Sequence, residues 1–327
     1  MTLGLDSVAR GIMLDHPEAV ADWTSRPVIL GAERTAAGGA LVKLGLPGGE
    51  PRAILKIATT PEGKRLLDHE TEVLSALHAD ERLGGLRELI PRPLARGTQE
   101  RRSYRLDSAV RGRPVTATKA TVTSTMLRAA VETISTLHNK TATTVTGGSE
   151  LAERWVDAPL RALTHQVRRS RGRTYRFERL RDELHSALDT RTLTVGWIHG
   201  DYWLGNVLFS DAQSVGGIVD WDASAPLELP SHDLLHLLLY TRRLVTGREL
   251  GDFVCDQLRG RPWSAAEREL LGDYRTALPA FPLSERHIVL LYWLRQAAAH
   301  ARQQGARIRY RYRWWEQRNV LPVLRAV

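Results

Sequence analysis

Apolar and polar residues change their spacing several times along the chain. Residues 6–24 read as a leading helix broken at Pro17. Three short runs follow: "PVILGAE" (27–33), "GALVKLGL" (39–46) and "RAILKIA" (52–58). Gly38–Gly39 and "LPGGEP" separate them, as turn residues do, so they predict an antiparallel meander. In 64–80 the period lengthens. Leu66, Leu67, Glu70, Val73, Leu74 and Leu77 recur at helical spacing. Two more extended pieces, 89–98 and 101–115, run into Gly112 and Pro114, which suits a connection. From about 122 the pattern is helical. Met126, Leu127, Ala130, Ile134 and Leu137 form one stripe, "KTATTVTGGSE" (140–150) reads as a loop, and 151–190 as helical and very basic. Short strands at 194–200 and 215–221 precede a mostly helical remainder, 231–327. The predicted class is α+β: a small antiparallel sheet lobe (1–107), a hinge (108–115) and a larger, mainly helical lobe (116–327).

Composition narrows the setting. With 327 residues, 43% hydrophobic and 25% charged, the chain has a soluble globular profile and room for two lobes. A single cysteine, Cys255, rules out an intrachain disulfide framework. No basic leader precedes an apolar run, and stretches such as "LLHLLLY" are too short to span a bilayer. A cytoplasmic protein is expected, without a transmembrane segment. The net charge of +9 favours anionic partners.

Candidate chemistry concentrates in "WIHGDYWLGNVLF", 197–209. An acid and an amide lie between two apolar runs, and a buried acid needs a partner or a metal. Asp201 is followed five residues later by Asn206, and "GGIVDWD" places Asp220 fourteen residues beyond that. Asn206 and Asp220 offer the hard oxygen donors that Mg²⁺ prefers. Asp201 beside them could take a proton from an incoming hydroxyl. That set suits phosphoryl transfer, which needs positioning and charge neutralisation more than covalent help.

"HGDYWLGN" followed by "IVDWD" resembles the aminoglycoside phosphotransferase and choline kinase group, which has a protein-kinase-like fold. The resemblance implies an enzyme moving the γ-phosphate of ATP or GTP to a hydroxyl of an antibiotic, sugar, nucleoside-type natural product or amino alcohol. Asp201 would be the catalytic base, Asn206 and Asp220 the Mg²⁺ ligands, and Asp222 an accessory to metal or acceptor. His199 reads as a structural imidazole. Lys56, inside an apolar strand, would hold the nucleotide phosphates and pair with Glu70; the rival Glu72 falls off the apolar stripe. The plainer alternative has Lys56 snorkelling from a sheet edge. "LDSAVRGRP" resembles the family's hinge, with adenine on backbone groups of Ser108, Ala109 and Val110. Asp233 in "PSHDLLHLL" would brace the catalytic loop or, more simply, cap its helix. The chain lacks GxGxxG, HRD, DFG and APE, which disfavours a protein kinase and leaves phosphate cradling to amides around Arg34 to Gly38.

Two arginine-rich segments, 165–181 and 302–318, complete the reading. In the second, Ile308, Tyr310, Tyr312 and Trp314 alternate with Arg307, Arg309, Arg311 and Arg313. Such interleaving can serve nucleic acid or an anionic membrane. The alternative function is therefore an inactive kinase-like module that binds nucleic acid, membrane or protein through this tail. Arginine is abundant throughout, so a solvated face packed on the helical lobe is the simpler expectation, and no nucleic-acid partner is expected. Some arginines could instead recognise a carboxylate or phosphate on the acceptor. An acceptor of that kind differs from a polycation, for which Glu228, Asp222 and Asp233 would have to form an acidic pocket.

Overall fold

The computed structural model describes residues 3–21, 23–24, 26–35, 38–115, 122–167, 171–211, 213–278, 282–303 and 309–327. They form two compact units: residues 1–114 with 206–224, and residues 115–205 with 225–327.

The first unit is built on a sheet. Helix α1 (Leu3–Asp15) leads into a 3₁₀ turn at Pro17–Val20, where the proline break was expected. Strands β1 (Val28–Thr35), β2 (Gly39–Gly45) and β3 (Pro51–Ala58) make the antiparallel meander, and β4 (Pro93–Gln99) and β5 (Arg102–Ser108) extend it. The spatial order is β1-β2-β3-β5-β4. Alternation along β3 points Leu55 and Ile57 to one face, where they pack with Val8, Ala9 and Ile12 of α1. The opposite face carries Lys56 towards helix α2 (Pro61–Ala79). Thr60 caps that helix by accepting from Gly63 N–H, and Pro61 opens it.

A second, three-stranded sheet in this unit joins β6 (Arg113–Pro114), β9 (Val207–Asp211) and β10 (Ser214–Ile218) in the order β10-β9-β6. The paired glycines of β10 have a steric reason. A Cβ on Gly217 would lie 2.2 Å from the Val110 side chain, and one on Gly216 2.7 Å from the Arg111 carbonyl oxygen. The chain following β5 therefore rests directly on hairpin backbone.

The second unit is mainly helical. It begins with α3 (Ser124–Thr141), capped by Thr123. The Thr-rich piece read as a loop is instead strand β7 (Thr143–Thr146), paired antiparallel with β8 (Thr192–Ile198) and, through β8, with β11 (Ala225–Glu228). β-Branched threonines favour a pleated edge, and this outweighs the turn character of the flanking glycines. Helix α4 (Ser149–Ala152) passes through a π turn into α5 (Ala158–Gln166), and α6 (Arg171–Leu188) follows. Beyond β11 come α7 (Ser231–Thr246), α8 (Leu250–Leu258), α9 (Ala265–Ala277), α10 (Glu285–Gln303), α11 (Arg309–Asn319) and α12 (Leu321–Ala326). The core of this unit gathers Leu184, Val195, Leu239, Val254, Trp293 and Val323, among others. Among the described residues no helix is long and apolar enough to cross a membrane.

Three arginines of the first basic segment have partners within this unit. Arg181 holds Asp157, Arg173 holds Glu316, and Arg179 donates to the Val327 carbonyl. The tail is a helix, so the alternation seen in sequence does not sort aromatic from basic residues onto two faces. Trp315 stacks on His300 with ring centres 4.0 Å apart, while Trp314 is half exposed. Arg307 and Ile308 lie outside the described residues.

Candidate active site

In the sheet unit, strand register brings Lys56 of β3 directly opposite Arg105 of β5. Two cations facing each other across a ladder repel. Glu70 resolves this from α2. Its carboxylate takes Lys56 Nζ on both oxygens, at 2.8 and 3.0 Å, and the Arg105 guanidinium at 2.9 Å. Arg105 is fully buried and also forms a fork with Asp107, at 2.7 and 2.8 Å. Its remaining donor reaches the Leu67 carbonyl and Thr71 Oγ1. The Lys56–Glu70 ion pair therefore exists as expected, and Glu72 is exposed.

Protonation follows from this packing. Burial would raise the Glu70 pKa, but Lys56 and Arg105 overcome it and hold the carboxyl down at about 2. Burial would lower the Lys56 pKa, but Glu70 and Asp220 hold it above the ordinary lysine value. Asp107 goes the other way: its burial outweighs the help from Arg105 and raises its pKa.

Asp220 joins the same group, with Oδ1 3.0 Å from Lys56 Nζ. It sits at φ 61°, ψ 65°, a left-handed conformation that an aspartate tolerates better than most residues. About half of its side chain is exposed (52%), whereas that of Glu70 is almost fully enclosed (6%). Of the two carboxylates on Lys56, Asp220 is thus the one open to a ligand. The next residue, Trp221, donates its backbone N–H to Glu70 at 3.3 Å. Asn206 is buried in this unit, and its carbonyl accepts from Val219 N–H at 2.9 Å.

Ser108, Ala109 and Val110 lie at and beyond the end of β5. Ser108 N–H donates to the Arg92 carbonyl and Ala109 N–H to the Arg52 carbonyl, at 2.8 and 2.9 Å. In the β1–β2 turn, Thr35 accepts from Gly38 N–H with its carbonyl and from Gly39 N–H with its hydroxyl. Ala36 and Ala37 lie outside the described residues.

Asp201 belongs to the helical unit. Its backbone is set from α7. Asp233, fully buried, accepts from His199 N–H at 2.7 Å and from Gly200 N–H at 2.8 Å. Gly200 has φ 84°, a conformation open to glycine. Asp233 also takes His138 Nε2 at 3.1 Å, and Tyr274 hydroxyl reaches His138 Nδ1 at 2.6 Å. Burial would raise the Asp233 pKa, but the bonds from His138 and the loop keep it lowered. The simpler expectation of a helix cap is not met: α7 starts without a side-chain cap. His199 is fully buried with Nδ1 3.3 Å from Asp201 N–H, the structural imidazole expected. Tyr202 and Leu204 are buried, with Tyr202 donating to the Ala130 carbonyl, and Trp203 stays partly exposed against Tyr240.

Two of the three acids that a polycationic acceptor would call on are committed elsewhere in this unit. Glu228 is buried and paired with Arg154 at 2.8 Å, and Asp233 is committed to the loop. Sequence reading also gave no role to Arg105, His138 or His236. Each sits in a stretch that looks like ordinary strand or helix, and only its partners reveal a role.

The sequence profile of the phosphotransferase enzyme family matches residues 40–267. The chain belongs to that family. Solved structures agree on the fold. An aminoglycoside phosphotransferase from Streptomyces rimosus, 16% identical, aligns with a TM-score of 0.51 over 89% of this chain and 98% of its own. A thermostable mutant of aminoglycoside phosphotransferase APH(4)-Ia, solved with AMP-PNP and hygromycin B, is 14% identical with a TM-score of 0.53, over 95% of this chain and 98% of its own. A macrolide 2'-phosphotransferase type I, also 14% identical, gives 0.50 over 94% and 93%. No curated protein sequence matches the chain. The fold is thus the kinase-like fold of this family, an antiparallel sheet lobe with a larger helical lobe.

Proposed function

We propose that this family member transfers the γ-phosphate of ATP or GTP to a hydroxyl group of a small molecule. One observation carries the reading: a part-buried lysine held by an enclosed glutamate and by a second, half-exposed aspartate. Lys56, kept cationic by Glu70, is poised to meet nucleotide phosphates. Asp220 and Asn206 supply a carboxylate and an amide, a donor set of the hardness and number that Mg²⁺ takes from protein beside phosphate and water. When bound, the ion would neutralise charge on the phosphate oxygens. Ser108 and Ala109 have spent their N–H groups within the sheet, so adenine at this edge would use their carbonyls and Val110. In this scheme residues 1–107 hold the nucleotide, 108–115 form the hinge and 116–327 serve the acceptor in a cytoplasmic enzyme.

Asp201 orients the acceptor hydroxyl and takes its proton as the oxygen attacks phosphorus. The proton leaves on the carboxylate, the bond from phosphorus to the β,γ-bridging oxygen breaks with its electron pair on the departing ADP or GDP, and the phosphate passes in line without a phosphoenzyme. The commitment of Glu228 and Asp233 to internal partners speaks against a polycationic acceptor. A neutral or anionic natural product, sugar or antibiotic fits better.

The test is incubation with Mg·ATP or Mg·GTP and a panel of hydroxylated compounds, reading a mass gain of one phosphate. Asp201→Ala should lower turnover by about 10²- to 10⁴-fold. Unchanged turnover in that variant, or no Mg²⁺-dependent stabilisation by nucleotide, would instead favour a non-catalytic module.

A further inference from the structure

The helical unit contains two tyrosine–histidine–aspartate chains. The first, Tyr274–His138–Asp233, is wholly buried and sets the loop backbone. The second begins at Tyr292 of α10, which is buried and whose hydroxyl lies 3.0 Å from His236 Nδ1. His236, on α7, is itself buried, and its Nε2 lies 2.9 Å from Asp201 Oδ1. The second chain therefore ends on the carboxylate predicted to accept the proton, nearly half of which is exposed.

We propose that His236, fixed by Tyr292, is a positioning residue for Asp201. The inference rests on the phosphotransferase reading given above. An ionised carboxylate only accepts, so the imidazole faces it with Nε2–H. Nδ1 then accepts from the Tyr292 hydroxyl. Burial, aided by the charge of Asp201, raises the pKa of that phenol and keeps its proton in place. Tyr240 closes one side of the ring at 5.3 Å between centres. The Nε2 contact is close but off-line for a hydrogen bond. Catalytic contacts of this kind often align fully only with substrate in place. Held in this way, Asp201 keeps one oxygen on His236 and presents the other to the acceptor. That restricts the rotamers of a side chain that is nearly half exposed.

Glutamine and asparagine separate this role from simple packing. The Gln amide nitrogen can occupy the place of Nε2, whereas the Asn amide corresponds to Nδ1. Transfer from Mg·ATP to water, and to any acceptor found in the hydroxyl panel, is measured for His236→Ala, His236→Gln, His236→Asn and Asp201→Ala. We expect kcat to fall about 10- to 100-fold in the Ala and Asn variants, with KM for ATP within about twofold, and to recover substantially in the Gln variant. If Asp201→Ala is inactive while His236→Ala keeps kcat, or if Gln and Asn are equally impaired, the inference is wrong and the phosphotransferase reading stands. If Asp201→Ala is as active as the parent, the phosphotransferase reading fails instead. A readout independent of turnover comes from ¹⁵N-histidine NMR of the full chain, with His236 assigned by its loss in His236→Gln. The expected signature is an Nε2–H tautomer whose Nε2 shift moves in Asp201→Ala. An Nδ1–H tautomer, or no response to Asp201→Ala, overturns the assignment whatever the kinetics show.

Discussion

Lys56 and Arg105 stand opposite each other across the β3–β5 ladder, and a single carboxylate, Glu70, holds both. One half of this arrangement is the part proposed to meet nucleotide, and the other is structural. Arg105 is the structural half. Replacing it by leucine leaves Glu70 and Asp107 buried with too little positive charge. Breaking a buried pair in this way costs about 3–5 kcal/mol. Urea denaturation of Arg105→Leu should show that loss; a cost below about 1 kcal/mol would mean that Lys56 alone satisfies Glu70.

Lys56 and Asp220 form the half proposed to meet nucleotide and metal. Lys56→Met removes a charge-assisted bond to phosphate, worth about 1.5–3 kcal/mol, so the Kd for nucleotide should rise about 10- to 100-fold. Asp220→Asn should weaken binding in Mg²⁺ buffer and leave the affinity measured in EDTA nearly unchanged. Calorimetric titration under both conditions checks this. Equal losses with and without the metal would remove Asp220 from the list of cation ligands.

The sharpest pH response should come from His232 on α7. Both its ring nitrogens are buried without a hydrogen-bond partner among the described residues, and burial lowers its pKa from 6.5 to about 3. The unfolded chain takes up that proton near pH 6.5, whereas the folded protein refuses it until about 3. The unfolded state therefore carries more protons in this window, and stability falls as pH drops through it. Glu70, held at about 2 against an ordinary 4.5, adds its own loss only below pH 4.5. Between pH 7 and 5 the Tm of the parent protein should decline, and His232→Leu should flatten that decline. It should not abolish it, because burial also lowers the pKa of His287 and His300. Parallel curves for parent and variant would show that the imidazole gains its proton without unfolding.

The Val110–Gly217 contact offers a double-mutant test. Gly217→Ala places a methyl group 2.2 Å from the valine side chain and should cost about 1–3 kcal/mol by overpacking. Adding Val110→Ala opens the space, so the double variant should be more stable than the sum of the two single losses predicts. Strict additivity would show that the backbone yields elsewhere.

The sheet and its crossing helix were legible because alternation and helical period are strong local signals, whereas the Lys56–Glu70 pair followed from the resemblance carried by the downstream motif. Glu70 could be chosen over Glu72 on period alone. Strand β7 was not legible: its threonines lie between glycines and a helix end, and pairing with β8 decided the outcome. The cap proposed for Asp233 failed for a similar reason, since the backbone of His199 and Gly200 competes for the same oxygens and wins. His236 was hidden inside a leucine run, where a histidine resembles core.

Asp233 accepts the main-chain hydrogens of His199 and Gly200 from a helix thirty-three residues downstream of Gly200. The shape of that turn is thus stored away from the turn. Changes at its exposed side chains are absorbed, while one substitution on a distant, inconspicuous helix would erase the geometry. A survey of variants would find the most sensitive spot of this loop outside the loop itself.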